Sequence, residues 1–215
     1  MFASYLGYGL MAARAAILKE AGGNDHPCLA TDVSYTYGGE AFSGHAGARA
    51  VASADSCTAL AAQALHANKT CSPAPVSQCG FDGAWGGGGG DGASKFYVSS
   101  YFWDRALQFG AIPSGAIDAD ITPKAFGDAA KAACASAPGA LASQFAHAPQ
   151  DGVDASLFCM DLSYCHALLT QGFGLEDDTA LTLVKQVRYR GEPVEAAWAL
   201  GAAINSLGSA PAAAA

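Results

Sequence analysis

The chain has 215 residues, 51% of them hydrophobic, and a formal net charge of −8 with a pI near 4.9. This much non-polar surface is enough for a folded core and excludes disorder of the whole chain. The 11 basic residues are scattered, which argues against a nucleic-acid partner, because such proteins group Lys and Arg to neutralise phosphates. Apolar stretches are interrupted well before the roughly 20 residues that cross a bilayer, so we expect no membrane span.

A helix, a hairpin and a second helix are predicted at the start of the chain. Over residues 4–20 apolar residues recur at helical spacing, and Gly22-Gly23 ends the pattern. The stretch SYTYGGEAFSGHAG alternates aromatic and small residues, which is typical of a hairpin or an irregular strand pair. Residues 54–67 predict the second helix. Residues 71–92 predict a loop, since their prolines cannot continue a helix and their glycine run cannot pack.

The rest of the chain predicts strands interleaved with helices. An aromatic strand in SKFYVSSYFWDRALQFG changes to a helix at about Ser100, and ALTLVKQVRY alternates like a strand. Further helices are predicted over residues 122–135, 137–146, 155–171 and 192–207. This order of elements indicates the α/β class.

Seven cysteines are many for a chain of this size, and they form no CxxC pair and no zinc-finger spacing with histidine. Disulfides in an oxidising compartment therefore explain them better than a metal does. Asn68-Lys69-Thr70 is an N-glycosylation acceptor. Both signals predict an extracellular location or the lumen of the secretory pathway. The first 20 residues do not form a signal peptide, which suggests that the sequence is truncated.

Residue types that often carry chemistry are present, but their spacing favours structural roles. The glycine run GGGGGDGASK lacks the GxxxxGK[ST] spacing of a phosphate loop, so a flexible loop is favoured. Five histidines form no HxxxH pair, which favours surface or packing roles. Cys165 lies in an apolar helical pattern and predicts a buried, inert thiol. The aromatic cluster Tyr97, Tyr101, Phe102 and Trp103 predicts core packing, with a stacking platform for a flat ligand as the alternative.

Seven motifs in order resemble the apyrase family, the nucleoside triphosphate diphosphohydrolases, and most closely its plant and algal members. They are SYLGYGLMAARAAILKE, HPCL, SCTALAAQAL, CSPAPVSQCGFDGAWGGGGG, FYVSSYFW, FCMDLSYCHALLTQGFGL and VEAAWALGAAI. The resemblance covers nearly the whole chain. It implies two actin-like (ribonuclease H-like) lobes, with a nucleotide in the cleft, that remove terminal phosphates from ATP and ADP with the help of a divalent metal, Ca or Mg.

The resemblance also implies which part of the family fold is present. Residues 1–190 correspond to the second lobe at the nucleotide cleft, residues 191–208 to a helix that returns to the first lobe, and residues 209–215 to a disordered tail. The family's two phosphate loops with their metal-associated aspartates, and the glutamate that activates water, have no counterpart among these motifs. We therefore expect this chain to lack hydrolase activity alone and to need an N-terminal lobe.

Site residues follow from the same resemblance. Animal members clamp the nucleobase with an arginine and a tyrosine that match Leu10 and Asp104, and a further tyrosine matches Phe158. Together with Tyr101 and Trp103, Leu10 and Phe158 are expected to form an apolar slot. Trp198 matches a family tryptophan that lies near the metal and the phosphates.

The family pattern implies the disulfides Cys28–Cys57, Cys71–Cys79 and Cys134–Cys159, which leaves Cys165 unpaired. Two alternatives to a piece of a nucleotide hydrolase stay open from the sequence. One is a non-catalytic nucleotide-binding or secreted structural module. The other is an unrelated disulfide-rich secreted domain.

Overall fold

The structure is a computed structural model that describes residues 7–22, 25–47, 51–71, 79–84, 95–145, 147–149, 152–190 and 192–194. Helices and strands are interleaved along the described residues. The helices are α1 (Leu10–Glu20), α2 (Ala54–Ala64), α3 (Tyr101–Gln108), α4 (Pro123–Cys134), α5 (Leu141–Gln144) and α6 (Gly152–Ala167). The strands are β1 (Val33–Tyr37), β2 (Glu40–Gly44), β3 (Phe96–Val98), β4 (Asp118–Ile121), β5 (Leu181–Val184), β6 (Val187–Tyr189) and β7 (Glu192–Val194). The mixed α/β class is confirmed.

The ends of the helices follow local chemistry. Helix α2 begins after Ser53, whose side chain accepts a hydrogen bond from the backbone N–H of Ser56. It ends three residues earlier than predicted, because His66 adopts a positive φ of 50° and terminates the helix. Pro123 occupies the first turn of α4, where its missing N–H costs nothing. The helix predicted over residues 137–146 is a 3-10 turn, Pro138–Ala140, followed by the short α5.

The strands of the described residues form three small sheets. Strands β1 and β2 make the predicted hairpin, with Val33 opposite Gly44. Strand β5 is central in the second sheet, parallel to β3 and antiparallel to β4. Strands β6 and β7 pair antiparallel. The alternating stretch predicted as one strand is therefore divided between two sheets, and β4 was not predicted at all.

Residues 192–194 correct the prediction of a helix over residues 192–207. They form β7, in which Pro193 lies opposite Arg188 of β6. Proline has no N–H to donate, so it is compatible with a strand that pairs on one side only. The predicted continuation, with Trp198, lies outside the described residues, as do residues 209–215.

Helix α6 forms the centre of the core. It packs mainly against α2 and α4 and also contacts α1 and α3. From Leu157 to Cys165 its side chains are buried, and Asp161 is fully buried among them. A helix that is buried on all sides has no solvent-facing polar stripe. The stretch FCMDLSYC accordingly has no stripe of charged residues at helical spacing, and all of its residues are buried. The chain continues from α6 into one turn of π-helix, Leu168–Gly172, which we call the π turn.

In the part of the chain that the structure describes, none of the helices has the length and apolar character needed to cross a membrane.

Candidate functional site

The helices that carry the sequence-predicted binding residues converge on one buried carboxylate, Asp161 of α6. Arg14 of α1 donates from Nε to its Oδ1 at 2.8 Å and from Nη2 to its Oδ2 at 2.6 Å. Arg105 of α3 donates from Nη1 to Oδ2 at 2.5 Å. Both arginines are more than nine-tenths buried. We call Arg14, Asp161 and Arg105 the charge trio.

The charge trio contains two guanidinium groups and one carboxylate, so positive charge is in excess among these buried groups. Arg14 makes a second ion pair at 2.8 Å with Asp154, whose side chain is 60% exposed. Burial lowers the pKa of Arg14, but the hydrogen bonds and the charges of Asp161 and Asp154 outweigh burial and raise that pKa above its ordinary value. Arg14 therefore stays cationic. The guanidinium of Arg105 also lies 5.9 Å from the centre of the Phe158 ring, where a cation is attracted to the aromatic face.

The predicted binding residues differ in exposure. Leu10, Trp103 and Phe158 are buried, and Phe158 makes an edge contact with Phe145 at 5.8 Å. Tyr101 is half-buried and stacks on Phe102 at 4.6 Å, while Asp104 is exposed. The charge trio joins α1, α3 and α6, which are the helices that carry these five residues. Trp198 lies outside the described residues.

An open groove of about 580 Å³ lies between α1, strand β1 of the hairpin and the start of α6. We call it the hairpin groove. Its lining includes Met11, Tyr37 and Val153, each more than two-fifths exposed. Arg14 forms part of the lining and lies 5.9 Å from the centre of the Tyr35 ring. The Tyr35 hydroxyl donates to the Met11 carbonyl at 3.0 Å, which fixes the hairpin against α1.

Sequence reasoning missed the charge trio and Tyr35. A signal was available, since Arg14 is a lone charge inside LMAARAAIL and Asp161 is a lone charge inside FCMDLSYC. Charged residues are almost never fully buried unless they are paired. Opposite charges in two apolar helical patterns thus predict a buried ion pair, although the pattern alone does not predict the second arginine.

Three of the family-like motifs meet at Phe81. The ring of Phe81 contacts Tyr8 at 4.9 Å and Phe173 at 5.4 Å, both edge-on. A Cβ on Gly172 would lie 3.1 Å from Cδ1 of Phe81, so the glycine allows the ring to approach the π turn closely. The parts of these motifs that contain Tyr8, Phe81 and Phe173 are therefore one packing unit.

A second polar cluster lies next to Phe81. Asp82, whose φ is 53°, accepts from Lys69 Nζ at 2.9 Å and lies 3.3 Å from Nδ1 of His66. The bonds from Lys69 and Tyr8 hold the pKa of Asp82 below its usual range. Burial, with the neighbouring Asp82 carboxylate, raises the pKa of Tyr8 to about 12. These contacts tie Tyr8 and the end of α2 to the turn after Cys79.

The described residues do not fit a divalent metal. They contain no group of three or more His, Cys, Asp and Glu side chains that could hold an ion. Their most buried carboxylate, Asp161, already accepts from two arginines, and a cation would be repelled there.

Three disulfides join the cysteines in the pairs that the resemblance implies, Cys28–Cys57, Cys71–Cys79 and Cys134–Cys159. Cys165 is a free thiol, fully buried. Burial raises the pKa of the Cys165 thiol well above its ordinary value, and the charge of Asp161 adds to the effect. The predicted burial of Cys165 is confirmed, and a thiol that stays protonated is a poor nucleophile.

Comparison with known proteins shows a match to the GDA1/CD39 (nucleoside phosphatase) family over residues 1–214. Apyrase 1 of Arabidopsis thaliana is 41% identical over 208 residues, which cover 96% of this chain and 43% of that protein. Probable apyrase 1 of Oryza sativa subsp. japonica is 39% identical, with 94% and 41% covered. The nucleoside-triphosphatase of Pisum sativum is 35% identical, with 97% and 45% covered. The chain thus spans less than half the length of these relatives.

Proposed function

This chain belongs to the GDA1/CD39 (nucleoside phosphatase) family, and we propose on this basis that it forms the nucleotide-facing part of a hydrolase of nucleoside tri- and diphosphates. The observation that carries the proposal is the family match along residues 1–214. The names apyrase and nucleoside-triphosphatase belong to the relatives. Their activity is carried over to this chain as a proposal.

The proposed reaction is hydrolysis of a phosphoanhydride. A water oxygen forms a bond to the terminal phosphorus, the bridging P–O bond breaks, and its electron pair leaves with the shortened nucleotide. Such a reaction needs a base within reach of the water and donors placed around the phosphates. We propose that this chain supplies neither of these and instead holds the nucleoside in a cleft between two actin-like lobes.

The hairpin groove is the surface on which we place the nucleobase. Met11 in its lining follows Leu10 on α1, and Val153 in its lining is on the same helix as Phe158. Tyr35 offers an aromatic ring there, and flat ligands stack on such rings. Tyr101, Trp103, Asp104 and Trp198 remain proposed contacts of the nucleotide. The charge trio acts as a set of positioning residues, because it fixes α1, α3 and α6 relative to each other.

We expect the 215 residues to be inactive alone, because the matched motifs include neither the family's phosphate loops nor its catalytic glutamate. Remote binding residues cannot replace a base or phosphate donors. We expect the divalent metal of the family, Ca or Mg, to be bound by the intact enzyme and not by this chain alone. An N-terminal partner lobe is thus part of the proposal.

Exchanging a segment of a relative tests whether this chain binds the nucleoside while the partner lobe supplies the base and the phosphate donors. The matched portion of Apyrase 1 is exchanged for this chain, and phosphate release from ATP and ADP is measured with Mg or Ca. We expect the exchanged protein to hydrolyse both nucleotides, and the chain alone to give only the blank rate. Apyrase 1 with the matched portion deleted is the control. Release well above the blank by the chain alone would show that our inactivity proposal is wrong.

Nucleotide binding to the hairpin groove is tested separately in the exchanged protein. We expect Tyr35→Ala to raise KM for ATP more than tenfold through lost stacking, which corresponds to about 1.4 kcal/mol. Tyr97→Ala is the matched control, because Tyr97 is 62% exposed on β3 and does not line the groove. Equal effects of the two substitutions would exclude the groove as the base site.

The three disulfides support a location in the extracellular space or the secretory lumen, because disulfides persist in oxidising compartments. The second candidate function rests on the same observation. A chain held by disulfides around its own buried core could act as a nucleotide-binding or structural module without catalysis. Hydrolysis by the exchanged protein would exclude this second candidate.

A further inference from the structure

The tripeptide Asn68-Lys69-Thr70 lies in an exposed turn at the carboxyl end of α2, and all three residues are exposed. The helix is closed by two backbone bonds, from His66 N to the Gln63 carbonyl at 2.8 Å and from Ala67 N to the Ala62 carbonyl at 3.1 Å. With His66 in the left-handed conformation, this is a Schellman cap. The chain therefore leaves the helix at His66, and Asn68 lies two residues beyond that point.

The two side chains that define the acceptor are free, while the residue between them is anchored. Neither the Asn68 amide nor the Thr70 hydroxyl has a hydrogen bond to any described residue. Lys69 is held by Asp82 at 2.9 Å. A protein that used these polar groups for its own fold would pair them, so they remain available for modification.

The surface around Asn68 has room for a large polar group. Asn68 lines an open depression of about 470 Å³ together with Ala62, Gln63 and His66. None of the residues that line this depression lines the hairpin groove. A group attached to Asn68 would thus cover the end of α2 and leave the groove accessible.

We propose that Asn68 carries an N-linked glycan. The bond forms between Nδ2 of Asn68 and C1 of an N-acetylglucosamine. The C1–O bond to a polyprenyl pyrophosphate donor breaks, the pyrophosphate takes the bonding electrons, and the amide loses one proton. The inference rests on the oxidising compartment proposed above, since N-glycosylation takes place in the secretory pathway.

A glycan at this place restricts how the protein assembles. The sugar is large and hydrophilic, so the end of α2 faces solvent in the mature protein. A second lobe that completes the nucleotide cleft then packs against a different face of the chain.

The test uses the full chain behind a cleavable signal sequence, translated with mammalian microsomes. Asn68 begins the only N-x-S/T acceptor in the 215 residues, so we expect a single slower band that returns to the original mobility with peptide N-glycosidase F. Asn68→Gln and Thr70→Ala should abolish the shift. Thr70→Ser, which keeps the hydroxyl, should retain it.

The serine variant distinguishes loss of glycosylation from misfolding. It changes the shape of residue 70 but keeps the hydroxyl that the acceptor requires, so the mobility shift should remain. No shift of the wild-type chain, while a reference glycoprotein shifts in the same microsomes, would overturn the proposal. A shift that persists in Asn68→Gln would overturn it too. Phosphate release by the exchanged protein is measured independently, so failure of one proposal leaves the other in place.

Discussion

Asp161 shows how one residue determines the arrangement of three helices. Its two oxygens accept from Arg14 and Arg105 in an interior where it is 0% exposed. Removing water from three charges is costly, and the hydrogen bonds offset that cost only while all three partners are present. The stability of α1 and α3 against α6 therefore depends on this one carboxylate.

We expect Asp161→Ala to lower the free energy of unfolding by about 3–5 kcal/mol, because it removes the buried counter-charge of Arg105 and leaves Arg14 with only the exposed Asp154. Urea unfolding checks this value. Asp178→Ala is the control, since Asp178 is exposed and such changes usually stay within about 0.5 kcal/mol. The triple change Arg14→Met, Arg105→Met and Asp161→Leu should be less destabilising than Asp161→Ala, and a larger loss would contradict the charge argument.

His26 makes stability depend on pH. Its side chain is 2% exposed, and burial lowers its pKa below the ordinary value of a histidine, although the backbone of Ile17 opposes this effect. The N–H of Cys28 donates to Nδ1 at 3.2 Å, so that nitrogen must stay unprotonated. Below about pH 6.5 the unfolded chain binds a proton that the folded chain does not, so stability falls as pH falls.

The measurement is the free energy of unfolding between about pH 5 and pH 7.5. We expect a contribution from His26 of at most about 1.4 kcal/mol per pH unit, which is the limit for one proton. His26→Gln should reduce the slope over this range. An unchanged slope would assign the acid sensitivity to other groups.

At the scale of the element, the sequence predicted helices better than strands. Helices α1, α2, α4 and α6 have apolar periods or capping residues in their own sequence, and these local signals are sufficient. Strand β4, DADI, has two exposed carboxylates and no apolar run. It exists because β5 provides its hydrogen-bond partners. Strand β7 was predicted as a helix for the same reason, since the partner β6 decides its conformation.

Gly172 in the π turn gives a test at this scale. A Cβ there would lie 3.0 Å from Cδ1 of Leu168 and 3.1 Å from Cδ1 of Phe81. We expect Gly172→Ala to cost about 1–3 kcal/mol, as overpacking of a core does. Gly139→Ala is the matched control because no atom lies within 4 Å of its added Cβ. Equal melting temperatures for the two variants would show that Phe81 can move without cost.

For the whole molecule, the candidate site was predictable only in part. The resemblance placed Leu10, Asp104 and Phe158 on three separate stretches of sequence, and these stretches form α1, α3 and α6, which the structure brings together. Which residues join them did not follow from the sequence, since Arg14 and Asp161 are 147 positions apart. The hairpin groove depends on the packing of β1 against α1, which no local pattern encodes.

The disulfides raise the free energy of unfolding by restricting the unfolded chain, and this effect grows with the length of the loop that each disulfide closes. Cys28–Cys57 and Cys134–Cys159 are 29 and 25 residues apart, while Cys71–Cys79 are 8 apart. Chain entropy gives roughly 3.6, 3.5 and 2.5 kcal/mol respectively. We therefore expect replacement of Cys71 and Cys79 by alanine to lower the free energy of unfolding least, measured in urea without reductant. The other two bridges are also more buried, so a loss of packing adds to their cost. If removal of Cys71–Cys79 costs most, the loop that it closes holds the fold by contacts rather than by entropy.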